Sequence, residues 1–267
     1  MDIKDFFLYK TELPMDSGFD MFGVCHWFWM IGIGIFSWWM GKFFSFAPKS
    51  KVKRIEWVLG IIFPLLELTR TVVLIMNNVF VPYEYPLHLC NLSLWIGTIY
   101  IWTKNCFAGV VYILLCLPAA ALAIVFPGWL QYPFWNYMHI HNFIYHGLVV
   151  ALGWSLVQSK ELVPVRKELW KPLLFGVVGY GVIFQVNKHL GTNFWFINKP
   201  SYGSPLAFLY ELLGDEWYLV GHFLFCGSIV LLWFGLIRRY QYSDDALRIK
   251  VFCNAQDVID RSRYKGL

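Results

Sequence analysis

Charge is what this chain has least of. Only 15% of its 267 residues are Asp, Glu, Lys or Arg, while 58% are hydrophobic. A soluble domain is nearer a quarter charged. Apolar runs of roughly 18 to 25 residues recur along the sequence, each long enough to cross about 30 Å of hydrocarbon. An ordinary soluble protein is thereby excluded, and almost no sequence remains for a separate soluble domain. The six cysteines (Cys25, Cys90, Cys106, Cys116, Cys226 and Cys253) form no CxxC pair, and most lie inside apolar runs. That argues against a disulfide framework and a zinc ribbon. No basic segment with a cleavage site precedes the first run, so no removable signal peptide is expected. Periodic repeats and low-complexity tracts are also missing.

Seven candidate spans are present, at about 21–44, 54–77, 86–103, 107–126, 137–158, 170–190 and 216–238. The expected architecture is all-α: a seven-helix transmembrane domain over 1–240 and a polar tail over 241–267. The tail contains a possible amphipathic helix at about 244–260. Lys and Arg orient the bundle. Seventeen fall in the loops and tail of one side, four on the other, and Arg70 lies within a span. The positive-inside rule then puts the N-terminus outside and the C-terminus in the cytoplasm. The net charge of +5 is read as this topology signal, so nucleic acid is not expected as a partner. A multi-pass protein of the cell membrane follows.

This orientation places all seven histidines in the outer halves of the spans or in outer loops. Glu67, Arg70, Asn91, Gln185, Asn187 and Asn193 fall at similar depth. Polar groups in hydrocarbon are costly and normally face the bundle interior or a wet cavity. The clustering predicts one polar chamber opening outward, with the inner halves of the spans almost purely apolar.

Pro86-Leu-His88-Leu-Cys90-Asn91-Leu-Ser93 is the stretch on which the polar groups converge. Proline is tolerated in the first turn of a helix, so Pro86 is read as the start of the third span. Cys90 paired with His146 is the sharpest constellation, since an imidazole can activate a thiol as a nucleophile. The plain alternative is that both are packing residues. Cys106, Cys116 and Cys226 show no comparable neighbours and are read as packing. His88 is two residues from Cys90, hence on the other side of a regular helix. It is a candidate second base, a substrate-orienting donor or an interfacial polar residue. Glu67 and Arg70, spaced i, i+3, can pair on one face. They either lock helices or leave Arg70 to hold an anionic headgroup. His139 and His141 lack an obvious third ligand, so no metal site is expected. The long, aromatic outer loop 191–215, which includes Asn193, either lids the chamber or merely connects.

The order of motifs resembles the YwaF-type bacterial integral membrane proteins. The matching pieces are His26 in the first span, Glu67-x-x-Arg70 in the second, Pro86 to Asn91, His146-Gly-Leu148, and Val186 to Pro200. That family is distantly similar to the eukaryotic transmembrane protein 164 family, regarded as lipid acyltransferases with a membrane-embedded cysteine and histidine. The resemblance implies Cys90 as nucleophile and His146 as base. The expected activity is a cysteine-dependent lipid acyltransferase or phospholipid acyl hydrolase. Membrane phospholipid is the substrate and no soluble cofactor is expected. His88, Asn91, Glu67, Arg70, Asn187, Asn193 and His222 are the candidate substrate-binding residues. The alternative is a transporter or small-solute binder using the same chamber.

Overall fold

The computed structural model describes residues 6–14, 16–201 and 203–243, with side chains to Gln241. The possible helix at 244–260 lies outside the described residues. Among them there are helices and no strand: α1 (Val24–Phe46), α2 (Lys49–Met76), α3 (Leu89–Thr103), α4 (Cys106–Val111), α5 (Leu117–Val125), α6 (Tyr137–Gln158), α7 (Trp170–Leu190) and α8 (Pro205–Ser243). Five helical runs are long and apolar enough to cross a membrane: α2, the α4–α5 run Cys106–Val125, α6, Arg166–Leu190 and Pro205–Gln241. α1 has 23 residues, and α3, also apolar, has 15. The chain is a multi-pass membrane protein.

α6 is the axis. It packs along α1 on one side and α5 on another, while α2 pairs with α3. Phe143, Val149, Ala151, Leu152, Leu156 and Val157 on α6 are wholly inside, as expected of a helix surrounded by others. Gly153 lets α5 approach: a Cβ there would lie 3.0 Å from Leu117. Small residues serve this purpose between membrane helices, where backbones must come close. α7 is the opposite case, with Val177, Val178, Val182 and Phe184 turned outward. Apolar side chains facing away from the protein on a span face lipid.

Several boundaries differ from expectation, each for a local reason. α4 and α5 are joined by a wide π turn over Tyr112–Cys116. Pro118 follows directly and has no N–H to give the Leu114 carbonyl, so the ladder must loosen here. α8 begins at Pro205, well before 216, and breaks at Gly214 (φ 66°, ψ −178°), a conformation open to glycine alone. The loop expected over 191–215 is thereby shortened to 191–204. α3 begins at Leu89, three residues after Pro86. The indole N–H of Trp195 donates to the Leu87 carbonyl at 2.9 Å, taking the acceptor that an earlier helix start would need for Asn91.

The helix ends around Glu56 and Lys104, expected to be almost purely apolar, carry charge. Glu56 of α2 is buried and lies 2.5 Å from the Lys104 ammonium, which also meets Glu161 at 2.9 Å. Tyr100 donates to Glu161 at 2.7 Å. This ion cluster ties α2, α3 and the 159–165 connection together.

Candidate active site

A cavity of about 380 Å³ opens among α3, α5, α6, α7 and α8, within the size range of small-molecule sites. Its walls are mainly apolar, supplied by residues such as Leu115, Ala119, Leu122, Leu173, Phe223 and Val230. Four of the sequence-predicted polar residues meet there from three helices: His88, Cys90, His146 and His222. Arg70 and Asn91 also contribute to the wall.

Cys90 owes its position to the late start of α3. It is the second residue of the helix, and no side chain caps this end. The Leu92 N–H is the first to find a carbonyl, that of His88 at 3.0 Å. The N–H groups of Leu89, Cys90 and Asn91 have no intrahelical acceptor, and they carry the positive end of the helix dipole. Tyr145, from α6, lines the same cavity as Cys90.

His146 follows Tyr145 on α6, its ring 3.9 Å from the tyrosine ring and stacked on Trp129 at 4.9 Å. Its Nδ1 lies 2.7 Å from the Asn142 carbonyl. A carbonyl only accepts, so Nδ1 carries the proton and Nε2 presents a lone pair. That Nε2 is buried and has no hydrogen-bond partner. An unpaired polar atom in a protein interior is costly, and here it belongs to a group in base-competent form that lines the same cavity as a thiol.

His88 is held by the 191–204 loop. The Trp195 N–H donates to its Nδ1 at 3.4 Å, so Nε2 carries the proton and is a donor. Phe194 and Phe196 flank the ring at 5.1 and 5.2 Å. Trp195 and Phe196 also line the cavity, with φ of 59° and 55°. Non-glycine residues rarely adopt such values, and strain of this kind gathers at ligand clamps.

The charged rim is neutral as a group. Arg70 donates from Nη1 to the Glu84 carbonyl oxygen at 3.0 Å and from Nη2 to the Glu84 carboxylate. Its Nη1 also meets Glu67, the expected i, i+3 pair, at 3.6 Å. Glu67 in turn accepts from Asn91 Nδ2 at 2.7 Å. Tyr9 donates to Glu84, and Lys10 lies 3.9 Å from it. Burial and the Glu84 carboxylate push the Tyr9 phenol far above its ordinary range, so it stays a donor. Arg70 is thus already occupied by two carboxylates, while Lys10, with its side chain 42% exposed, is the accessible cation.

The predicted chamber does not hold every polar group. Asn187 accepts from Thr192 Oγ1 at 2.9 Å and the Phe194 N–H at 2.8 Å; it closes the turn after α7. Asn193 accepts from the Asn198 N–H at 3.0 Å and donates to the Lys199 carbonyl at 2.8 Å. Both shape the outer loop and lie outside the cavity lining, as does Glu67. Gln185 and His189 are exposed. His26 and His139 form a separate group between α1 and α6. His26 accepts from the Phe22 N–H at 2.9 Å and donates to the Ile124 carbonyl at 2.7 Å. His139 accepts from Trp29 at 2.9 Å and donates to the Tyr132 carbonyl at 3.2 Å. Among the described residues, no cluster of three or more His, Cys, Asp or Glu is placed to hold a metal.

Three cavity residues had escaped the sequence reading. Glu84 is the lone carboxylate of the 77–88 connection, which was the available signal. Tyr145 adjoins His146. Cys226 had been assigned to packing for want of neighbours, yet His222 precedes it by four residues, and its Nε2 is 3.8 Å from the Cys226 sulfur.

No curated protein and no solved structure matches the chain. The model of the TMEM164 family does, over residues 21–237, a range that contains α1 to α7, most of α8 and every polar residue of the cavity except Lys10. On that match across most of its length, the chain belongs to the TMEM164 family.

Proposed function

We propose that this protein is a membrane-embedded lipid acyltransferase in which Cys90 is the nucleophile and His146 its base. The observation that carries the reading is the buried, unpaired Nε2 of His146, a residue that shares a cavity with a thiol on an uncapped first turn. Membership of the TMEM164 family and the apolar cavity support it.

In the proposed cycle Cys90 Sγ bonds to the ester carbonyl carbon of a phospholipid while its proton passes to His146 Nε2. The oxyanion sits against the open N–H groups of Cys90 and Asn91, where fixed dipoles stabilise developing charge. The ester C–O bond breaks, His146 returns the proton to the departing lysolipid oxygen, and a thioester remains on Cys90. An acceptor hydroxyl then gives its proton to His146, attacks the thioester and carries off the acyl chain, and the proton returns to the thiol. Water in place of the acceptor makes the site a hydrolase. The His88 Nε2–H and Lys10 orient the headgroup, and Trp195 with Phe196 covers the outer side.

The same reading has all seven long helices crossing the cell membrane, with the N-terminus outside and the basic tail in the cytoplasm. The relation to the bacterial YwaF-type proteins is part of it. The test is to incubate purified protein with phosphatidylcholine vesicles and search Cys90 for an acyl adduct by mass spectrometry. An adduct that disappears in Cys90→Ser and fades in His146→Ala is the expected result. A cavity that binds lipid equally well in all three proteins, with no adduct in any, would mark a binding protein and end the acyltransferase reading.

A further inference from the structure

A second thiol–imidazole pair faces the same cavity, on helices that the Cys90 mechanism does not use. His222 and Cys226 are one turn apart on α8, on one face. Cys226 Sγ lies 3.8 Å from His222 Nε2. The other ring nitrogen, Nδ1, is 2.6 Å from the Tyr180 hydroxyl of α7. Tyr180, His222 and Cys226 all line the cavity. His222 is 4% exposed, so bulk water does not compete for its bonds. With the proton on Nδ1 and shared with the tyrosine oxygen, Nε2 is free to accept the thiol proton. Hydroxyl, imidazole and thiol then stand in the order that activates a nucleophile, with the third group orienting the base.

We propose that Cys226, with His222 as base and Tyr180 as positioning residue, is a second acyl-accepting thiol of this cavity. The inference rests on the reading of the cavity as an acyl-lipid site. Cys226 Sγ bonds to an acyl carbonyl carbon as its proton moves to His222 Nε2. The bond from that carbon to the leaving atom breaks, and the leaving atom takes the proton from His222. The leaving atom is either the ester oxygen of a phospholipid, giving a lysolipid, or the sulfur of acyl-Cys90, giving back the free Cys90 thiol. Either source delivers the same thioester. The cavity so holds two positions at which a chain can rest, on opposite helix sets.

The experiment uses the full chain and vesicles of phosphatidylcholine bearing an alkyne-tagged acyl chain, with site-resolved mass spectrometry of both cysteine peptides. Wild type, Cys90→Ala, Cys226→Ala, His222→Asn and Tyr180→Phe are compared, each checked for an unchanged thermal midpoint. The expected result is label on Cys226, reduced at least about tenfold in His222→Asn and less in Tyr180→Phe. Label retained on Cys226 in Cys90→Ala identifies the phospholipid ester as the source. Label that requires Cys90 identifies thioester exchange. Cys90 labelled with Cys226 bare would overturn the second site and leave the proposed function standing. Cys226 labelled equally in His222→Asn would also overturn it, as chance acylation of an accessible thiol. Neither cysteine labelled would remove both readings together. Should His222→Asn unfold, the rate of Cys226 alkylation by N-ethylmaleimide across pH in wild type and Tyr180→Phe replaces it. A profile unmoved by loss of the hydroxyl would overturn the triad.

Discussion

Two levels of α6 use the same side chain for different ends. Toward α1, His139 has both ring nitrogens bonded, to Trp29 and to the Tyr132 carbonyl. Toward the cavity, two turns on, His146 has one nitrogen bonded and the other open. Both rings are buried to within 1% exposure, so burial does not distinguish them. What does is the count of satisfied nitrogens. A saturated imidazole is a strut between helices. One that is fixed at Nδ1 and vacant at Nε2 is held in position for a proton.

The sharpest break in the comparison is expected at Cys90. Cys90→Ser should lower acyl transfer by about a thousandfold or more and leave the thermal midpoint in place, measured on one preparation by vesicle assay and by unfolding. His146→Ala should lower the rate by about a hundred- to a thousandfold, the range of a lost general base, again with little change in unfolding. His139→Ala should show the reverse. It strands the Trp29 N–H and the Tyr132 carbonyl, at about 1–3 kcal/mol for a buried group left unpaired, so the thermal midpoint falls while turnover per folded molecule holds. If His139→Ala lost turnover without losing stability, the division of α6 into a bracing level and a chemical level would be wrong. The smallest effect is expected at half-exposed Asn193. Asn193→Ala removes loop bonds worth about 1 kcal/mol and should change headgroup discrimination between lipid classes more than the rate on any one of them.

The all-helical character and most helix boundaries could be read from hydropathy because the long helices are nearly unbroken apolar runs. The boundaries that slipped were set by partners far away in sequence. The Trp195 indole fixes the start of α3 at Leu89 from 107 residues downstream of His88, and no local propensity announces it. The meeting of His88, Cys90, His146 and His222 at one cavity was legible as shared depth. Depth alone could not separate His139 from His146, since both lie in the first half of one helix. That separation depends on which way each ring turns and on which carbonyl it meets. Asn187 and Asn193 show the same limit: an amide at the right height was already spent on the turn that carries it. Cys226 is the case where the local signal existed. A histidine four residues before a cysteine on a helix puts imidazole and thiol side by side, and the spacing is visible without a fold.

The indole of Trp195 also sets how long the open amides at the head of α3 persist. While it occupies the Leu87 carbonyl, α3 cannot wind one turn further back. Release that oxygen and it becomes the natural acceptor for the Asn91 N–H, withdrawing one donor from beside the sulfur. The outer loop therefore governs the electrostatics at Cys90 by holding a helix short.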